Sequence, residues 1–298
     1  MSTIADFARR LALAAGILAV APFTVSAQSL SYVGGLQYAT GDFIFTQRTW
    51  SAYISNGLSW SAGRLRASAT IPLVIQPAGW LQYSGAGMML PTGGIASGAA
   101  GAGNSPGGSS GMGSAMHGGT MTPSSGMPFS GVGIGDPVAR IDVSLVPPGA
   151  RHGVVNLVAA AKAPLANVNR GFGTGEWDFG AGLSGATKVG NISVFADAVY
   201  WRLGNPPGAS LRDAVAYAVS AGRAFQDSRW SMLATVSGAT SFWSGLEAPV
   251  QAGVGIGYLL GSGNSMFATA AAGLTRTAPA LSTGLGWRIP LGGTPRGR

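Results

Sequence analysis

The chain has no cysteine, only two histidines, and only 9% charged residues among its 298 amino acids. An average water-soluble domain has about 25% charged residues, so this composition argues against an ordinary soluble protein. Beyond the N-terminal region there is also no apolar run of the roughly 20 residues that a membrane-spanning helix needs. These absences exclude disulfide bonds and argue against a helical membrane protein.

Glycine, in contrast, is abundant at 49 residues, and the mean hydropathy is positive at +0.29. A transmembrane β-barrel accounts for both facts, because only every second residue of its strands faces lipid and the hydrophobicity is diluted by alternation. The formal net charge is +8. Because the basic residues are scattered, without a run or an aromatic-interleaved patch, we expect no nucleic-acid partner.

The N-terminal region has the order of a secretory signal peptide. Arg9 and Arg10 precede an apolar run that begins at Leu11, and the small residues of Val25-Ser26-Ala27 come before Gln28. A short apolar segment between basic residues and a small-residue site is typical of a cleaved signal. We therefore predict a signal peptide over 1–27 and a mature barrel over 28–298 in the bacterial outer membrane. A retained N-terminal anchor is the alternative.

About twelve segments of roughly ten residues alternate between apolar and polar positions, which is the period of a β-strand. Each has the length of a tilted transmembrane strand. The pattern predicts an all-β fold, a transmembrane antiparallel up-and-down β-barrel of about twelve strands. The predicted strands are Ser31–Ala39, Gln47–Ser59, Arg64–Ile75, Ile134–Val146, Gly153–Ala163, Glu176–Thr187, Ile192–Arg202, Leu211–Ala224, Arg229–Thr240, Pro249–Leu260, Met266–Thr275 and Leu281–Leu291.

The two faces of these strands differ in character. In the fourth strand Ala139, Ile141 and Val143 share one face, and Arg140 and Asp142 share the other. An exported soluble β-protein would turn the apolar face inward. The small residues of the polar face favour a crowded lumen and lipid outside, as do aromatic residues near strand ends, where interfacial girdles form. These aromatic residues are Trp50, Trp177, Tyr200, Trp201, Trp230, Tyr258 and Trp287.

The lengths of the connections alternate along the chain. Those after even-numbered strands are tight turns, and those after odd-numbered strands are longer, including the Gly/Ser/Met-rich segment 76–132. Outer-membrane barrels have short periplasmic turns and long extracellular loops. We therefore predict that both termini are periplasmic and that 76–132 is an extracellular loop.

Two glycine-rich motifs resemble the MetA-pathway phenol-degradation family, outer-membrane barrels often encoded beside aromatic-degradation genes. The first is Gly133-Ile134-Gly135-Asp136-Pro137, similar to the GxGD motif at which a strand of that family begins. The second is Gly173-Thr174-Gly175-Glu176-Trp177-Asp178, similar to its GTGxxD motif. The resemblance covers roughly 133–288 and implies a role in the transport of hydrophobic or aromatic compounds.

Charged residues predicted to face the lumen are the candidates for setting pore selectivity. Glu176 and Asp178, two apart on one predicted strand, should meet Arg or Lys on a neighbouring strand. The lumen candidates are Arg64, Arg66, Arg140, Asp142, Lys162, Glu176, Asp178, Asp197, Arg212 and Arg288.

A second candidate site lies in the long loop, where thioether and imidazole ligands suited to Cu(I) cluster. Its residues are Met112, Met116, His117, Met121 and Met127. The alternative is a low-complexity loop that acquired methionine without a function. A Ser-His-Asp site built on His117 or His152 lacks the GxSxG motif of many hydrolases, so we predict neither catalysis nor a cofactor.

Together these patterns predict a monomeric outer-membrane channel or transporter for small, hydrophobic or aromatic solutes. The expected partners are outer-membrane lipid, the solute and the barrel-assembly machinery. Two alternatives stay open at this stage. One is a surface barrel whose Met/His loop binds copper or a partner, and the other is a membrane-embedded hydrolase.

Overall fold

The structure, a computed structural model, describes residues 28–43, 45, 48–77, 81–83, 89–91, 131–146, 153–206, 210–225 and 229–291. The predicted signal peptide, most of the long loop with its methionines and His117, and also His152 lie outside these residues. Within the described ranges, no helix is both long and apolar enough to cross a membrane. The helical elements among them are two short 3-10 turns, at Val168–Arg170 and Gly261–Gly263.

The described residues form fifteen strands, of which thirteen belong to one sheet and two form a separate hairpin. The strands are β1 (Ser29–Gly41), β2 (Thr49–Ala62), β3 (Leu65–Gln76), β4 (Leu81–Tyr83), β5 (Met89–Pro91), β6 (Gly131–Ile134), β7 (Val138–Ser144), β8 (Val154–Lys162), β9 (Asp178–Val189), β10 (Ile192–Arg202), β11 (Ala214–Ala224), β12 (Trp230–Ala239), β13 (Val250–Leu259), β14 (Ser265–Gly273) and β15 (Leu281–Pro290).

The large sheet closes on itself. All pairings in this sheet are antiparallel, β3 pairs with β6 and β7 beyond the hairpin of β4 and β5, and β1 pairs with both β2 and β15. Because β6 and β7 both pair with β3, they occupy one place in the ring, which has twelve places. The predicted twelve-strand up-and-down barrel is confirmed, and the predicted strand ends differ from the observed ones by at most three residues.

A β-bulge separates β6 from β7. Leu73 pairs with Ile134 and Thr70 pairs with Val138, so three residues on this strand oppose two on β3. The extra residue reverses which side chains face inward, and a bulge of this kind re-aims side chains next to it. Asp136 lies within the bulge and is buried.

The polar face of the strands is the interior. Arg140 on β7 forms an ion pair with Asp197 on β10, and the two strands that separate them require the pair to lie inside the ring. On the other face Ile141, Leu183 and Val219 are about half exposed, at 46%, 51% and 54%. A wall of exposed aliphatic side chains is stable in lipid and unfavourable in water. The prediction of an apolar exterior is confirmed.

This orientation predicts the effect of a charge on either face of β11. Val219→Arg places a guanidinium at mid-strand on the outer wall, which costs about 2–4 kcal/mol in lipid. Ser220→Arg is the matched control, because the neighbouring side chain points into the lumen. Urea unfolding in vesicles, followed by heat-modifiable gel migration, should show a lower midpoint for Val219→Arg. Equal midpoints for the two variants would contradict the assignment of faces.

The connections divide the barrel into two ends. One end, here called the turn end, has the short connections 63–64, 190–191 and 260–264. The first residue of β1 and the last residue of β15 also lie at this end. The other, the loop end, has the long connections, and the predicted alternation of lengths is confirmed. Most predicted girdle aromatics lie on the outer wall, where Trp230 packs on Tyr258 with ring centroids 4.5 Å apart. Trp201 is the exception, because it points inward and is 5% exposed.

Candidate functional site

The lumen is the candidate site, and its loop end is filled by apolar side chains. Strand residues pointing inward pack with aromatic residues from the long connections in one buried cluster, here called the plug. The members of the plug are Ala39, Phe43, Phe45, Leu81, Val158, Val199, Trp201, Leu203, Leu211, Ala214, Phe242 and Trp243.

The plug crosses the whole barrel. Ala39 belongs to β1 and Val199 to β10, and these strands are six places apart in a ring of twelve. Phe242 and Trp243 come from the connection after β12 and lie with ring centroids 6.2 Å apart. A continuous apolar layer between opposite walls has the character of the hydrophobic constrictions that gate channels by dewetting.

The connection after β8 folds into the same end. Phe172 packs with Tyr53 and Val74, which point inward from β2 and β3. Gln76 donates from its Nε2 to the carbonyl of Gly171 at 2.9 Å. This segment therefore covers part of the lumen beside the plug.

A buried ion cluster fastens the same segment to the wall. The Lys162 Nζ lies 3.2 Å from Asp136 Oδ2 and 3.4 Å from Asp178 Oδ2, and it also donates to the Thr174 hydroxyl. Asp136 accepts hydrogen bonds from the backbone N–H groups of Ala166 and Thr174. Each charged side chain is at most 3% exposed. Buried charges are stable only when paired and hydrogen-bonded in this way.

The cluster joins the two glycine-rich motifs noted in the sequence. Asp136 ends the first motif, and Thr174 and Asp178 belong to the second, 38 or more residues later. Gly173 permits the close approach, because a Cβ there would lie 2.6 Å from Asp136 Oδ2. Gly175 adopts a φ of +74°, which glycine tolerates best. The motifs are therefore two halves of one structural unit.

The turn end is open. A cavity of about 610 Å³ there is lined in equal numbers by charged, hydroxyl and amide side chains and by apolar residues or glycine. Beside this cavity the Arg140 guanidinium lies 2.9 Å from Asp142 on the same strand and 2.7 Å from Asp197 on β10. The polar residues of this vestibule are Ser61, Arg64, Arg66, Asp142, Ser144, Asn156, Ser184, Asp197 and Ser220.

The remaining predicted residues lie elsewhere. Arg288 points inward and donates to the Ser59 hydroxyl at 3.0 Å. Glu176 lies two residues before β9, and its backbone N–H donates to Thr174. Arg212 lies before β11 with an exposed side chain. Glu176 and Arg212 had both been predicted to lie within strands. The strands begin after them, because the backbone pairing with the neighbouring strand starts only at Asp178 and at Ala214.

The candidate copper ligands lie outside the described residues. Among the residues that the structure does describe, no group of three or more His, Cys, Asp or Glu side chains could hold a metal ion. The plug residues Phe43, Phe242 and Trp243 were not predicted as site residues. Their position in loops carried no signal of inward folding, although the aromatic residues themselves were visible in these connections.

Comparison with known proteins supports the fold. No family model matches the chain, and no curated protein matches it. Among solved structures it is similar to the COG4313 outer membrane channel from Pseudomonas putida F1, with 10% identity, a TM-score of 0.59, and coverage of 91% of this chain and 98% of that one. The chain therefore shares the closed antiparallel barrel fold of that protein.

Two further similarities are weaker. The β domain of the Bordetella autotransporter BrkA shares 14% identity with a TM-score of 0.41, over 89% of this chain and 99% of that one. OpdQ from Pseudomonas aeruginosa shares 9% identity with a TM-score of 0.36, over 90% of this chain and all 100% of that one.

Proposed function

We propose that this protein is a gated channel for small solutes with a hydrophobic or aromatic body. The observation that carries the proposal is the plug, whose apolar layer lies between an open, polar vestibule and the loop end. A solute that crosses the barrel must pass this layer. Apolar and aromatic solutes lose less hydration there than ions do, so the constriction selects for them.

The closed plug leaves polar atoms without partners. Within the described residues, the hydroxyls of Thr49 and Ser51, the Oε1 of Gln76 and the Nε1 of Trp243 are buried without a hydrogen bond. Each such atom costs about 1–3 kcal/mol. Of these atoms the Trp243 Nε1 belongs to the plug, and displacing the plug hydrates it, which offsets part of the apolar contact that is lost. The closed state is thereby poised to open.

Planar-bilayer recording of the refolded chain tests the proposal. We expect low conductance with discrete openings, and uptake into liposomes of an uncharged aromatic solute such as benzyl alcohol above the protein-free rate. A swelling assay with arabinose provides a comparison solute of similar size without an apolar ring. Absence of openings together with equal rates for both solutes would overturn the proposal.

The motif resemblance fits this role, and we extend the proposal to membership of the MetA-pathway phenol-degradation family. We also propose that the turn end and both termini are periplasmic, and that the barrel acts as a monomer inserted by the barrel-assembly machinery. Protease treatment of whole cells distinguishes the orientation, because cleavage within 76–132 from outside is expected only if the loop end faces the medium.

A further inference from the structure

The vestibule contains two arginines whose charges are not neutralised. Arg64, in the turn before β3, and Arg66, the second residue of β3, both line the cavity. Within the described part of the chain, neither has a carboxylate within 4 Å, whereas Arg140 has two.

The strand register and the position of Arg140 explain why Arg66 forms no ion pair with a described residue. Its Cα partner across the β3–β7 ladder is Asp142, the nearest candidate for an ion pair. Arg140 engages that carboxylate instead, from its Nε at 3.1 Å to both oxygens and from its Nη2 at 2.9 Å. The Arg140 guanidinium also holds Asp197. Both acids that line the cavity are thus committed to one arginine.

An aromatic ring faces the same cavity. Phe195 lies two residues from Asp197 on β10 and shares its inward face, yet its side chain is 44% exposed. Covering an exposed aromatic ring with an apolar ligand contributes about 25 cal/mol of binding free energy for each Å² of apolar surface removed from water. Val154 on β8 and Ala218 on β11 line the same cavity and extend its apolar surface.

We propose that this vestibule binds small organic carboxylates that carry an apolar body. The carboxylate accepts hydrogen bonds from Arg64 and Arg66, whose planar guanidinium groups match its two oxygens. The apolar body covers Phe195. The cavity volume of about 610 Å³ lies within the range of about 300–1,000 Å³ that is common for small-molecule sites. This inference goes beyond the proposed channel function, because the vestibule lies below the plug and binds the anion whether or not the plug lets it pass.

Calorimetric titration of the refolded full chain in detergent tests the site without requiring transport. The probe is benzoate, with acetate lacking the ring and benzyl alcohol lacking the charge. We expect benzoate to bind more tightly than either. Arg64→Gln and Arg66→Gln should each weaken benzoate about tenfold, the loss of one charge-assisted hydrogen-bonding partner. Phe195→Ala should weaken benzoate and leave acetate unchanged.

Arg223→Gln is the matched control, because it removes the same charge near the same end of the barrel. Its position on β11 shares the outward face of Val219. Benzoate affinity that is unchanged by the Arg64 and Arg66 variants, in protein that retains heat-modifiable migration, would overturn the site. So would benzyl alcohol binding as tightly as benzoate. Benzoate binding without any channel openings would instead retain the site and refute the channel.

Discussion

Lys162→Met is expected to give a barrel that refolds poorly and unfolds at a much lower urea concentration. The substitution removes the cation that lies between Asp136 and Asp178, which leaves two buried carboxylates without the charge that balances them, held only by their remaining hydrogen bonds. Breaking a buried ion pair by removing one partner costs about 3–5 kcal/mol. Because Asp136 also holds the backbone of Ala166 and Thr174, the inward-folded connection should loosen as well.

The measurement is the fraction of folded, fast-migrating protein along a urea series in lipid vesicles. Arg48→Met is the matched control, because Arg48 pairs with Asp42 at 3.4 Å but both side chains are more than 60% exposed. Exposed pairs contribute at most about 1 kcal/mol. A Lys162→Met midpoint no lower than that of Arg48→Met would show that the cluster is not needed for stability. Limited proteolysis between β8 and β9 should report the loosened connection independently.

Trp243→Ala is expected to raise single-channel conductance by a factor of ~2 or more, because it removes the bulk of one of the large rings of the plug. A hydrophobic constriction blocks water and ions by dewetting, and a wider one fills with water. The substitution also removes an indole Nε1 that is buried without a partner. The loss of packing costs about 3–5 kcal/mol in a closed core, and this loss shifts the plug toward open arrangements.

Recording of refolded protein in planar bilayers measures this effect, with heat-modifiable migration as the check on folding. Trp230→Ala is the control, since it removes the same side chain from the outer wall at the turn end, where it packs on Tyr258. Conductance of Trp243→Ala equal to that of the unaltered chain would exclude the plug as the barrier. Trp243→Phe, which keeps most of the ring, should lie between the two.

The strands were predictable because their signal is local. A residue that faces lipid and one that faces the lumen alternate with a period of two, and each segment, such as Ile192–Arg202, carries this pattern by itself. The bulge before Val138 was not predictable in this way, since an extra residue becomes apparent only when two strands are set in register. The predicted orientation of Trp201 was wrong for a related reason: a position near a strand end does not specify which face an aromatic residue occupies.

Some of the ion pairs were predictable from the sequence and others were not. The sequence indicated that Asp178 should meet a basic residue of a neighbouring strand, and Lys162 on β8 fills that place. It did not indicate that Asp136 would join them, because its side chain is turned inward by the bulge. Nor did it indicate that Arg140 would take both Asp142 and Asp197, which depends on a contact across three strand spacings.

The sequence by itself determined the class of fold, the number of strands, the apolar outer wall and the division into short turns and long loops. Each follows from alternation, composition or spacing within a single stretch of chain. Only the tertiary structure decided that the loop end is filled by Phe242, Trp243 and their neighbours, and that Arg64 and Arg66 have no counter-ion among the residues that the structure describes. Closing the sheet brings distant strands and loops into one lumen, and those contacts have no local pattern from which they could be predicted.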